Sequence, residues 1–580
     1  MLPVRTLLTI SVACAFFAFP CCNGDASSGR SIDGDHVYED ESQLPKSDRR
    51  QLQAKRNAEK LRKLQSKTGQ LNVLVLLMRW KDHENRPLPS ADLIRDMWNA
   101  EGKSQDWGPA GSIATWVKEN SYEKLSIEAT VIDWQTTDNT EAHYADGRSG
   151  RPVEDKGGVV DMENAFHPLL DNLDNENFDF SKFDLDTDGR LDLVLVLHSG
   201  YAAEEAEIAC DDVERINRIQ SFQSGADFND LWQSSQPGSQ RLGSFAISAA
   251  IRNQGCNHNI ARMGVMTHEM MHSFGLIDTY DTNGSAGSGT VGGIAGFDIM
   301  ANPGGQRNNK SRPGFLSAYS RYIMGWLEPT PIEADGTYEL FPVETSNSAF
   351  IISDPYPEGE YLLIELRRPI SFDEFLWDNG GIVIYHVDEN VPGPTANGNR
   401  GYPGQQNEDT GEYWPGNGDH YRVAVLQADG LYQLEKGTSN GDINDFWLPG
   451  KMLKPGNGES VATSIGVYPS TDSYANGNIQ VTGITLQAFA DVAGSDGMSF
   501  TVTGMGSKPP NSNPVTTPAP NTPPSVETPT QPPSSAPGPN QPTLSPTPSS
   551  AAHVAKPGLI MDKFSIVILM ALGMQAFCVM

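Results

Sequence analysis

The sequence predicts an α+β fold, in which a strand-and-helix half over residues 71–330 precedes a β-rich, sandwich-like module over residues 331–505. Three observations carry this. Apolar strand-like runs alternate with helical ones from Leu71 to about residue 330. From Tyr338 the pattern becomes short alternating strands bounded by Gly, Asn and Asp turns, at 338–341, 361–364, 382–385, 423–426 and 500–502, with no convincing helix. Within the first pattern, residues 260–278 require one buried helix and then one tight turn.

That helix carries the run Thr267-His-Glu-Met-Met-His-Ser-Phe-Gly-Leu-Ile-Asp278. His268 and His272 are four residues apart, so on a helix both imidazoles share one face. Gly275 lets the helix stop and the chain turn back. Asp278, three residues on, can return an oxygen to the same point. Glu269 lies beside the histidines as a base for an attacking water. The spacing H-E-x-x-H-x-x-G-x-x-D is a zincin pattern in which Asp replaces the third His of the metzincin signature. It points to a zincin/metzincin-like catalytic domain, with zinc (Zn2+) on His268, His272 and Asp278 and with Glu269 as the catalytic base. The implied reaction is hydrolysis of peptide bonds in proteins or peptides.

Met300, in Gly296-Phe-Asp-Ile-Met300-Ala, falls where a metzincin places a methionine floor beneath the metal. No Glu occurs between His272 and Glu328, which excludes a third-ligand Glu about twenty residues on and leaves Asp281 and Asp298 as fallback ligands. Tyr280, Tyr319 and Tyr322 are candidate donors to the oxyanion, and the sequence does not choose among them. The plainer alternative is a packing helix that happens to carry two histidines. Met263, Met266, Met270 and Met271 read as core filler of that helix. The Gly and Asp at their offsets weigh against chance.

The chain resembles secreted metallopeptidases of the immune inhibitor A type, from about Leu71 to about Gly504. The likeness rests on ordered segments: the apolar run 71–80, Trp116-Val-Lys-Glu-Asn-Ser-Tyr-Glu-Lys-Leu125, and Val131-Ile-Asp-Trp134. It continues through the acidic loop 184–192, a strand at 193–198, and Gly200 to Glu204 and Glu205. Downstream lie Gly325-Trp326, the runs 360–367 and 380–388, Val425-Leu-Gln-Ala-Asp-Gly430 and 497–502. Glu123 stands where the family has Gly, a departure confined to one turn. The resemblance implies an extracellular zinc endopeptidase. The competing reading is a catalytically silent cell-surface adhesin or binding protein on the same fold, and a non-peptide hydrolase is a further rival.

In the acidic loop, Asp184, Asp186, Asp188 and Gly189 occupy the first positions of an EF-hand-like calcium (Ca2+) turn, with Asp192 at the ninth. Leu195 stands where the bidentate Glu belongs, so a solvated acidic turn capping its own backbone is the alternative. Gly441-Asp-Ile-Asn-Asp445 has calcium-type residues without a template.

A formal charge of −31 argues against nucleic acid or an anionic membrane surface as partner. Residues 1–24 read as a signal peptide, with Arg5 ahead of a short apolar run, and a short signal anchor is the rival. Residues 25–70 read as a propeptide whose dibasic pairs Arg49-Arg50 and Lys55-Arg56 would suit an activating protease. Outside the termini only Cys210 and Cys256 remain. Paired in an oxidising compartment, they would close a loop of about 45 residues contributing ~4 kcal/mol; two free thiols is the alternative. Asn283 and Asn309 open glycosylation sequons. Residues 506–552 form a Pro/Ser/Thr-rich stalk. Residues 553–580 fit a GPI-type attachment signal, with a membrane anchor or plain secretion as the alternatives, so contact with the membrane is expected only through this tail.

Overall fold

The computed structural model describes residues 68–506, apart from 152–159, 206–212, 225–231, 253–257, 282–291, 308–309, 392–401, 404, 406–410, 412, 415–420, 457–468 and 475–478. The expected signal peptide, stalk and C-terminal signal lie outside the described residues, as do almost all of the propeptide and Cys210, Cys256, Asn283 and Asn309. Among the described residues, no helix is long and apolar enough to cross a membrane.

A six-stranded sheet organises the first half, in the order Leu125–Thr136, Gly69–Arg79, Val194–Tyr201, Phe245–Arg252, Phe222–Ser224, with Asn259–Ile260 also paired to Phe245–Arg252. The first four strands run parallel, and the two short ones pair antiparallel. Parallel pairing needs crossovers, and helices supply them: Ala91–Asn99 and Ile113–Asn120, then Glu141–Ala145 and Val160–Asn175. Ser90 and Ser112 start the first two by accepting from the amides of Leu93 and Thr115.

The central strand Gly69–Arg79 is apolar on both faces because layers cover both. Val73, Val75 and Leu77 point into one core, and Leu74, Leu76 and Met78 into the other. Leu125–Thr136, at the sheet's edge, instead alternates buried and exposed residues along most of its length. The helix Met263–Ser273 lies on the Val73 side, where Met263, Met266, Met270 and Met271 are wholly buried in the core.

After residue 330 come two further sheets. One has the order Val423–Val425, Gly381–Asp388, Glu360–Arg367, Ala349–Ile352, Thr330–Pro331; the other is Gly336–Leu340, Met498–Thr503, Thr485–Asp491. Leu362, Ile364, Ile382 and Ile384 of the first share a core with Leu340, Leu486, Phe500 and Val502 of the second. The opposite face of the first sheet carries Leu363, Tyr385, Val387 and Val425, which pack in the same core as the helix Met263–Ser273. Hydrophobic packing is therefore continuous across residue 330. The mixture of helix and sheet fits the α+β class.

The turn in which Glu123 replaces a family glycine is left-handed, with φ of 52° at Tyr122 and 62° at Glu123. A side chain there is strained by its own Cβ, so Glu123→Gly should raise stability by about 1 kcal/mol in urea unfolding. The exposed ion pair it loses, to Lys118 at 3.4 Å, is worth little. A fall in stability would contradict the strain argument.

Candidate metal centre

Three local devices bring His268, His272 and Asp278 together. The helix Met263–Ser273 aligns the imidazoles, whose rings meet edge-on with centroids 4.7 Å apart. Gly275, at φ 92°, ends it: its amide donates to the His272 carbonyl at 2.8 Å, and the Leu276 amide donates to Met271 at 3.3 Å. This is a Schellman closure, which needs the left-handed residue that glycine provides. The reversed chain then delivers Asp278 back over the helix end.

The protons of the site can be assigned by elimination. His268 Nδ1 lies 2.9 Å from the Ile299 carbonyl and His272 Nδ1 lies 2.8 Å from the Leu276 carbonyl. Carbonyls only accept, so each Nδ1 carries its ring's proton and each neutral ring presents a bare Nε2. The two Nε2 atoms are 3.1 Å apart, and Asp278 Oδ1 lies 3.3 Å from one and 3.1 Å from the other. With neutral rings Oδ1 is buried without a hydrogen-bond partner. With both rings neutral, three electron-pair donors therefore converge on one point. Ligands about 2.0–2.1 Å from a tetrahedral zinc ion stand ~3.3 Å apart, so this triangle fits the ion.

The electrostatics add one proton to this neutral arrangement when no metal is bound. Burial alone would lower the His268 pKa, but the hydrogen bond to Asp278 and the Glu269 charge outweigh it and hold the ring up at about 9. Asp278 moves the other way: burial opposes ionisation, yet the two histidines keep its carboxyl well below the usual range. In the metal-free protein a proton thus stands where a cation would. Glu269, buried, is pushed up to about 7 by desolvation, with the two imidazoles partly offsetting it.

The surrounding residues sort themselves by what they touch. Met300 is fully buried, and its carbonyl accepts from the Thr279 amide at 3.1 Å, tying the Met300 turn to the Asp278 segment. Of the three tyrosine candidates, Tyr280 is coupled to the cluster: burial first, and then the Asp278 carboxylate, raise its pKa. Tyr319 is buried in the core and Tyr322 packs edge-on against Tyr361.

Asp298, a fallback ligand in the sequence reading, has other work. Its Oδ1 accepts from the Met300 amide at 2.9 Å, and its Oδ2 from the Ser317 amide at 3.1 Å and the Ser317 and Ser320 hydroxyls at 2.5 and 2.6 Å. It fastens the Met300 turn to the helix Ala318–Ile323. Asp281 is buried and stands outside the group of possible ligands.

In the acidic loop, Asp184, Asp186 and Asp188 gather within 4.8 Å, whereas Asp192 is turned to the Leu185 amide at 2.8 Å. Asp184 accepts from Gly189, and Asp186 and Asp188 accept from amides two residues on. These bonds satisfy the turn from within.

Sequence reasoning missed the two carbonyls that orient the histidines and the Asp298 clamp. It also missed Glu204, whose charge helps raise Glu269 and whose Oε1 is buried without a partner. Its only signal was its place in the Gly200–Glu204 segment.

Residues 99–324 match the model for the immune inhibitor A peptidase M6 catalytic domain. The matched stretch contains His268, Glu269, His272, Asp278 and Met300 and ends before the later sheets. No curated protein matches the chain.

Proposed function

Because the chain is a metallopeptidase of the immune inhibitor A type, we propose that it is an extracellular zinc endopeptidase acting on proteins or peptides, with His268, His272 and Asp278 as ligands and Glu269 as base. The observation that carries this is the convergence of three potential ligand atoms, two imidazole nitrogens and one carboxylate oxygen, 3.1–3.3 Å apart. Zinc bound there would polarise the scissile carbonyl and acidify a water. The rest falls to the chain's own residues. The Ile299 and Leu276 carbonyls hold both rings in one tautomer. Glu269, buried beside the cluster and outside the ligand triangle, takes the water proton at its carboxylate and returns it to the leaving amine. Tyr280, whose hydroxyl is electrostatically coupled to Asp278, is the candidate donor to the developing oxyanion. An extracellular site is supported by the sequons, the two cysteines of the body and the N-terminal apolar run.

Cleavage of denatured casein by the purified protein, with and without a zinc chelator, tests the reading. Chelator-sensitive cleavage is expected. Zinc uptake without cleavage, after removal of any propeptide, would instead favour the silent adhesin.

Metal affinity should depend on pH with a defined sign. Below about 9 the metal-free cluster holds a proton that zinc must displace. The apparent affinity should therefore rise roughly tenfold per pH unit and level off above that point. Competition with a chromogenic chelator between pH 6 and 10 checks this, and a flat profile would remove the proton from the site.

A further inference from the structure

We propose that the β region after residue 330, outside the matched catalytic domain, supplies positioning residues for the metal centre, chiefly Asn440 together with Arg367. The inference rests on the zinc reading above and extends it to residues that never touch the ligand triangle.

The argument starts at the Ile299 carbonyl, which fixes the His268 ring. Ile299 belongs to no strand or helix; it follows the single 3-10 turn Ala295–Phe297 and lies within a further turn. Its place is therefore set by whatever holds the turn from outside. Asp298 holds one side, as described. The other side is held from a loop that follows the strand Val423–Val425. The Asn440 carbonyl accepts from the Gly296 amide at 3.1 Å. Its carboxamide nitrogen donates to the Gly305 and Gln306 carbonyls at 2.7 and 2.9 Å, and its Oδ1 accepts from Asn302 at 2.7 Å. One side chain and its own backbone thus satisfy groups both before and after Ile299.

The approach is close enough to dictate a residue. A Cβ on Gly296 would stand 2.7 Å from the Asn440 carbonyl oxygen and 3.0 Å from Gln306 Cα, so only glycine fits. Arg367 adds a second tether, donating to the Phe297 carbonyl at 3.0 Å and the Leu316 carbonyl at 2.8 Å. The turn is coupled onward, since the Met300 carbonyl accepts from Thr279, the residue after Asp278. A shift of the turn would move the acceptor of His268 and the segment carrying Asp278 together. Loss of such an outer partner weakens metal binding by about 10–100-fold.

The test uses the full chain and zinc itself. Zinc dissociation constants are measured by chelator competition for wild type, Asn440→Ala and Asn440→Asp, with near-ultraviolet circular dichroism and melting of the metal-free proteins alongside. Asp keeps the oxygen that accepts from Asn302 but lacks the two donors. Both variants are expected to bind zinc about tenfold more weakly while remaining folded, with kcat lowered and KM little changed. Lower melting temperatures with zinc affinity within twofold of wild type would make Asn440 merely structural and overturn the proposal. Should neither variant fold, Asn302→Ala removes one tether to Asn440, together with the acceptor of the Gly304 amide. A few-fold weaker affinity there supports the proposal, and unchanged affinity overturns it. Wild type that takes up no zinc would instead sink the metal reading itself, a separate and recognisable failure.

Discussion

Glu269→Ala is expected to lower kcat/KM by about 10⁴-fold while zinc remains bound, the upper range for loss of a positioned acid–base group. Glu269 sits on the same helix as both histidines but outside the triangle of donor atoms, so its removal leaves the ligand set intact. Its carboxyl is buried and raised to about 7 in the metal-free protein, chiefly by desolvation. A cation next to it favours the carboxylate, so with zinc bound the pKa should fall below that value. Activity requires the ionised base, so it should be lost as pH drops through the lowered pKa. Glu269→Gln separates charge from volume, because it keeps the shape and cannot accept a proton. Stopped assays on casein, with bound zinc measured in the same samples, decide the matter. Either variant retaining more than a few per cent of activity would remove Glu269 from the base role. A variant that has also lost its zinc would indicate a collapsed site.

Much of this centre was legible in the sequence because its parts lie within eleven residues of one another. Helical periodicity places His268 beside His272, and the Gly275 turn returns Asp278; both are local rules. What the sequence did not reveal depends on long-range contacts. The Ile299 carbonyl meets His268 across 31 positions, and Asn440 meets Asn302 across 138. A backbone carbonyl carries no residue-type signal, and a lone Asn in a Gly-rich stretch looks like any turn residue. Asp298 stayed open as a fallback ligand in the sequence because an acidic residue near a metal motif has two uses. Only the four donors around it show which use applies. The boundary near residue 330 follows the change of pattern from mixed to β, yet the core runs through it. Patterning records which element forms, and it is silent on which neighbouring layer covers its second face.

One faint signal did exist for that second face. Glu365 and Arg367 are charged residues two apart in the strand Glu360–Arg367, which is buried throughout. Two charges on one face of such a strand must be paired inside. In the structure Arg367 Nε donates to Glu365 at 2.8 Å and Nη1 to Asp373 at 3.0 Å, while the remaining donors reach the Phe297, Phe315 and Leu316 carbonyls. Arg321 pairs with the other oxygen of Glu365, and all four of these charged side chains are wholly buried.

Arg367→Leu is therefore expected to destabilise the metal-free protein by about 3–5 kcal/mol, the range for breaking a buried pair by removing one partner. The loss is not the attraction alone. Asp373 would be left in a dry interior without its arginine, and Glu365 would keep only Arg321 and the Tyr385 hydroxyl. Neutralising both sides should return part of the deficit, so Arg367→Leu combined with Asp373→Asn should be more stable than Arg367→Leu alone. Urea unfolding of the two variants and of Asp373→Asn gives the coupling. A loss below about 1 kcal/mol for Arg367→Leu would place the site among solvent-relaxed pairs rather than dry ones. The same network bears on any shortened form of the enzyme. Ending the chain at residue 330 removes Arg367, Asn440 and the sheet face that shares a core with the metal-site helix, so a 71–330 fragment is expected not to fold or to hold zinc.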